Sequence, residues 1–341
     1  MSSKKMRTAK QSAKPLNMQS TVLKKPANTK AFELGSSTEP LYKALFMILV
    51  VLVLTFLLNW ILNSVFTNIV SSKNPDISND SALLMEKVQE YVNNSMYYPV
   101  LQKIVLELSG ILAMIFFFAR IEKKNISELG FANRQKLGVN IGLGGLIAFV
   151  ALLVAFNLLF LCKGVEFTGK AVINPIQLLW AVEFVLMILC EEFIFRGYIR
   201  YKLADKKPAV IYIVSCVLFA LYKGLPSTSP ATYISYAAMN FFFMFVYQKL
   251  NSPWFNISFR LVWTFLSGLV LSVYSPGVPG LLQIKWNNVN ILTGTQAGFE
   301  NSLIVAFVFV LAYFGVKMIF DGRLKPGEKY QRRLHKDGTI R

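Results

Sequence analysis

Cys190-Glu191-Glu192-Phe193-Ile194-Phe195-Arg196-Gly197 places two adjacent carboxylates near the end of an apolar run that begins at Ile176. A carboxylate deep in a bilayer costs from a few to ~10 kcal/mol unless it is paired, protonated or faces a wet cavity, so an intramembrane Glu-Glu marks a candidate functional site. On a helix, Glu192 and Arg196 are four residues apart and share a face, with the acid on the favourable N-terminal side. Glu183, Met187 and Glu191 continue a second line of i, i+4 neighbours. An ordinary ion pair at the membrane surface would account for Glu192 and Arg196, but it leaves Glu191 unexplained.

Outward from this stretch, the chain is 54% hydrophobic, with apolar runs of about twenty residues recurring through all but its two ends. The composition predicts an all-α, polytopic transmembrane helical bundle with spans at 41–70, 98–119, 138–162, 174–198, 208–223, 231–248, 254–275 and 301–320. The net charge of +18 does not point to nucleic acid, because the basic residues gather in the tails and in alternate loops. Arg120, Lys123, Lys124, Arg134 and Lys136 fall in one such loop, Arg200, Lys202, Lys206 and Lys207 in another, and Lys249 in a third. The loops between them are poor in Lys and Arg, and 71–97 carries Asp76, Asp80, Glu86 and Glu90. This positive-inside alternation predicts that both termini are cytoplasmic.

Residues 1–40, rich in Lys, Ser, Thr, Pro and Gln, read as a disordered basic arm, 41–320 as the bundle and 321–341 as a basic tail. The arm suits either contact with anionic lipid or plain topological retention. It is too long and too basic for a secretory signal, and the apolar run after it exceeds a signal core. Ser81–Val92 reads as an amphipathic helix in the outer segment 71–97, which with 276–300 (Pro276, Pro279, Trp286) is long enough for a cap or a partner surface. Gly138, Gly142 and Gly145 form a small-residue strip suited to close helix packing. Cys162, Cys190 and Cys216 fit neither a disulfide framework nor a metal spacing and read as inert core residues.

Glu191-Glu192-x-x-x-Arg196-Gly197 resembles the first motif of the CPBP (Abi) family of intramembrane proteases, which is related to type II CAAX prenyl endopeptidases and to bacteriocin self-immunity proteins. Leu129-Gly130-Phe131 resembles the family's lead-in, and the similarity runs over about 128–275. The family's second motif, F-x-x-x-H, is matched by Phe219-Ala220-Leu221-Tyr222-Lys223. Its third, a His followed four residues later by a polar group, is matched by Arg260 and Thr264. Both histidines are replaced, and the single histidine of the chain, His335, lies in the tail.

The resemblance implies a glutamate that activates water while histidines and a polar residue orient it, hold a possible metal or stabilise an oxyanion. Neutral imidazole ligates zinc and accepts a proton; arginine does neither, and lysine does so only after losing its proton. Two glutamates alone fall short of the three protein ligands usual for catalytic zinc. No metal or other cofactor is expected.

Three functions compete. One is a catalytically degenerate family member acting as scaffold or regulator of a membrane protein; the resemblance implies a membrane-anchored peptidoglycan hydrolase or a sensor histidine kinase as partner, in a Gram-positive plasma membrane. Another is a working endopeptidase with Glu191 as general base and Lys223 or Arg260 at the oxyanion. The third is a transporter, though no inverted repeat of broken helices is evident. Counting depth at the helical rise puts Glu191 about 14 Å and Arg260 about 9 Å inside the same boundary. Arg260 is therefore predicted to pair with Glu191 or Glu192.

Overall fold

The computed structural model describes residues 39–322, apart from 78–79, 132, 134–135, 170–172, 205, 226, 275–276, 288 and 295–297. The arm before residue 39, the tail after 322, Arg134, Pro276 and His335 thus lie outside the described residues. Residues 39–45 supply the first turns of α1 (Glu39–Lys73), and the helical bundle is formed by residues 46–322.

After α1 come α2 (Ser81–Asn94), α3 (Tyr98–Phe116), α4 (Leu137–Leu161), α5 (Ile176–Glu191), α6 (Ile199–Lys202), α7 (Pro208–Gly224), α8 (Pro230–Leu250), α9 (Trp254–Phe265) and α10 (Leu303–Gly322). Proline sits in the opening turn of α3, α7 and α8, where its missing N–H has no intrahelical partner to lose. Asp80 caps α2, accepting from the N–H groups of Ala82 and Leu83 at 3.0 and 3.1 Å. Lys87 and Glu90, exposed on α2, pair at 2.8 Å; the hydrogen bond, then the opposite charge, raises the lysine pKa and lowers that of the glutamate.

Each predicted span falls largely on helix. Among the described residues, however, only Leu49–Lys73, Tyr98–Ile121, Leu137–Leu161 and Leu303–Gly322 are both long and apolar enough to cross a membrane. The others are shorter, interrupted or, like the 21-residue α8, less apolar. Helix α5 reaches Lys202 only by passing through a π-helical segment, Glu192–Tyr198, and α6. Helix α9 continues through a π segment, Leu266–Val270, and stops there instead of running to 275. The carbonyl of Ser267 accepts from the N–H groups of both Val273 and Tyr274, which turns the chain back beside the helix.

The bundle is built around α8 and α9. Phe242 and Phe243 of α8, Phe259 of α9 and Phe309 of α10 lie with ring centroids 5.2–5.7 Å apart. Ala148, Ala151 and Ala155 of α4 are buried in the same core. Trp180, Phe184 and Ile188 of α5 form a second core with Val100 of α3 and Ile257 of α9. In the lead-in, Leu129, Phe131 and Asn133 are stapled to the corner between α8 and α9. Leu129 accepts from the Tyr247 hydroxyl, Phe131 accepts from Trp254 Nε1 at 3.3 Å, and Asn133 Nδ2 donates to Leu250 and Asn251. Gly130 has φ +86°, and a Cβ there would sit 2.7 Å from the Tyr247 oxygen, so this corner requires glycine.

Two expectations are corrected. A Cβ on Gly138 or Gly142 would meet nothing within 4 Å, and one on Gly145 only ordinary side-chain contacts; the close approach to α9 is made by Gly144, whose Cβ would collide with the Phe255 carbonyl. The glycine strip faces one residue away from the interface because spacing alone does not fix a helix's rotation. Cys162 is exposed at the end of α4, not in the core. A short antiparallel pair, β1 (Val165–Gly169) with β2 (Gln283–Trp286), joins the loop after α4 to the loop before α10.

Candidate functional site

Glu191 and Glu192 end α5 and open the π-helical segment. Such segments widen the helix by one residue per turn and are frequent at functional sites. Here the wider turn lets the Arg196 Nη1 lie 3.5 Å from the Glu191 carbonyl oxygen, five residues back, as well as 3.5 Å from Glu192 Oε1. All three residues are fully buried. The Arg196 guanidinium is sandwiched by Phe219 of α7 (4.6 Å) and Phe243 of α8 (5.3 Å), so the second-motif phenylalanine serves as a cation–π platform.

Glu191 turns the other way. Its Oε2 accepts from Arg260 Nη1 of α9, and its Oε1 lies 3.1 Å from Lys223 Nζ of α7, an ion pair whose angle falls outside a hydrogen bond. Lys223 also approaches the Met187 sulfur at 3.3 Å, which ties in the i, i+4 line of Glu183, Met187 and Glu191. Glu192 takes its second partner from Asn256, whose Nδ2 donates to Oε2 at 3.2 Å and to the Phe243 carbonyl at 3.0 Å.

The structure therefore brings Glu191, Glu192, Arg196, Phe219, Lys223 and Arg260 together. Thr264 is buried one turn beyond Arg260, but its hydroxyl has no hydrogen-bond partner among the described residues. Charge matching by number pairs Glu183, Glu191 and Glu192 with Arg196, Lys223 and Arg260. The observed division is uneven: Glu191 takes two cations, Glu192 one, and Glu183 is in no ion pair within 4 Å among the described residues, its buried Oε2 having no hydrogen-bond partner.

Residues 174–266 match the family model of type II CAAX prenyl endopeptidase Rce1-like proteins. This segment is Rce1-like. It begins just before α5, ends one residue past α9 and contains every ion pair of Glu191 and Glu192; no curated protein and no solved structure matches the chain significantly. With membrane-length helices around it, the Rce1-like segment marks a membrane protein with a CAAX-protease-like fold.

The donor set of the Rce1-like site does not suit a metal. Guanidinium and ammonium groups occupy both oxygens of Glu191, and neither ligates a cation in its charged form. Among the described residues no group of three or more His, Cys, Asp and Glu is placed to hold an ion.

Sequence reasoning passed over Asn256, Glu107, Glu300 and Tyr274. Asn256 was legible: with Arg260 and Thr264 it forms an i, i+4, i+8 line on α9. Glu107 and Glu300, buried on α3 and just before α10, lie outside the matched segment and share no spacing with the motifs.

Proposed function

We propose that this protein is a catalytically degenerate member of the CAAX-protease-like group that works as a scaffold or regulator of another membrane protein. The observation that carries the reading is the occupancy of Glu191 by Arg260 and Lys223, at the two positions where the family resemblance places histidines. A general base must hold a water on a free lone pair. Here fixed cations take that place, and arginine cannot return a proton at neutral pH. The same contacts bind α5, α7 and α9 together and make the old catalytic centre a clamp.

The partner is a membrane-anchored peptidoglycan hydrolase or a sensor histidine kinase, in the plasma membrane of a Gram-positive bacterium, with both termini cytoplasmic and the basic tails available to anionic lipid. Helix α1 supports a partner role. It packs little on its own bundle and exposes Phe56, Trp60, Ile61 and Val65 along its length. Purification of the full chain in mild detergent, with identification of co-purifying proteins, tests the proposal. Recovery of the protein alone, together with cleavage of an added prenylated membrane peptide that disappears in Glu191→Gln, would establish an endopeptidase instead.

A further inference from the structure

A cavity of about 760 Å³ lies beside the Glu191 centre. Its charged lining is Lys103 and Glu107 of α3, Glu183 of α5, Lys223 of α7 and Glu300 just before α10. Lys103 lies in the second turn of α3, Glu107 and Glu183 lie midway along α3 and α5, Lys223 is in the last turn of α7 and Glu300 on the approach to α10. The cavity therefore opens at the bundle end where α3 and α5 begin and α7 ends, and it reaches inward to mid-helix. Its rim includes Leu106 and Leu225, which are 43% and 63% exposed.

The interior is unbalanced in charge. Glu107, Glu183, Glu191, Glu192 and Glu300 are buried, against Arg196, Lys223 and Arg260. All three cations are committed to Glu191 and Glu192. Glu300 Oε1 accepts from Trp263 Nε1 at 2.9 Å. Glu107 and Glu183 are only 6% and 3% exposed, yet each has a buried Oε2 with no hydrogen-bond partner among the described residues. Such oxygens seek a donor, and their charge seeks a cation. Lys103 does not supply one, since it forms no ion pair within 4 Å among the described residues. It is exposed at the mouth, with its ammonium 4.9 Å above the Trp180 ring.

We infer that this cavity binds an aminophospholipid headgroup, with the ammonium between Glu107 and Glu183, the phosphate at Lys103 and the acyl chains leaving past the apolar rim. An ammonium with N–H bonds supplies both the charge and the donors that the orphan oxygens need, and Tyr274 and Tyr236 in the lining add ring faces to the cation. The cationic mouth next to an anionic interior matches the order of charges in a zwitterionic headgroup. A quaternary ammonium offers the charge without the donors, so a choline lipid fits less well. The inference holds whether or not Glu191 is catalytic.

The test is thermal unfolding of the full-length protein in maltoside micelles with added phosphatidylethanolamine, phosphatidylcholine or octylamine. Phosphatidylethanolamine should raise the midpoint by about 3 °C or more in a saturable way and phosphatidylcholine by much less. The shift should disappear in Glu107→Gln and Glu183→Gln and persist in Glu90→Gln, a surface control. Lys103→Gln should reduce the phosphatidylethanolamine response to that of octylamine, which separates a lipid site from a simple amine site. If either buried variant fails to fold, native mass spectrometry of the unmodified protein and of Lys103→Gln decides by the number of each lipid retained. Equal responses to the two phospholipids, or a full response in both buried-acid variants, would overturn the inference. An octylamine shift with no phosphatidylethanolamine shift would remove the lipid and its phosphate contact.

Discussion

Removing Glu191 should cost more than removing Arg260, and the two losses should not add. In Glu191→Gln, Arg260 keeps its charge at 2% exposure and Lys223 loses its partner as well. Breaking a buried pair in this way costs about 3–5 kcal/mol. In Arg260→Met, Glu191 retains Lys223 at 3.1 Å, and that side chain is part-exposed at the cavity. The expected loss is about 2–3 kcal/mol, below the range for a fully orphaned charge. The double variant leaves only Lys223 unpaired, and water from the cavity can solvate it. A coupling of at least ~1.5 kcal/mol is therefore expected between positions 191 and 260. Glu192 answers to Arg196 and Asn256 instead, so its coupling to Arg260 should be smaller by ~1 kcal/mol or more. Denaturant-induced unfolding in detergent, monitored by near-UV signals, supplies the two cycles. Additivity within about 0.5 kcal/mol for the 191–260 pair would refute the clamp.

Arg196→Lys should destabilise by about 2–3 kcal/mol despite keeping the charge, because a point ammonium loses the planar sandwich between Phe219 and Phe243; a thermal midpoint unchanged from the parent would contradict this. Gly144→Ala should cost about 1–3 kcal/mol through its clash with the Phe255 carbonyl, whereas Gly142→Ala should be neutral or stabilising by up to ~1 kcal/mol. The reverse order in the same unfolding assay would mean that α4 is rotated from the packing described. With the native cysteines removed, a cysteine at Ser81 should react with an impermeant thiol reagent on intact cells and one at Gly327 should not. The opposite pattern reverses the orientation, and labelling of both breaks the even number of spans.

The sequence by itself determined the membrane class, the helical content and the Glu191–Glu192–Arg196 centre, because each rests on a local cost that no packing removes. A charge in an apolar run must be paired, neutralised or given a wet cavity wherever it sits. It also brought Arg260 to the glutamates by depth, since helical rise converts residue number into height. Only the tertiary structure decided which carboxylate Arg260 serves. Adjacent residues on a helix point about 100° apart, and the π-helical turn at Glu192–Tyr198 alters that bearing in a way no spacing announces. The rotation of α4 was hidden for a related reason: with lipid on one side and protein on the other, both faces are apolar, so no hydrophobic contrast shows which glycine meets α9. The cavity acids Glu107, Glu183 and Glu300 come from three separated stretches of chain. Their convergence is a property of how the helices pack, and no window of sequence contains it.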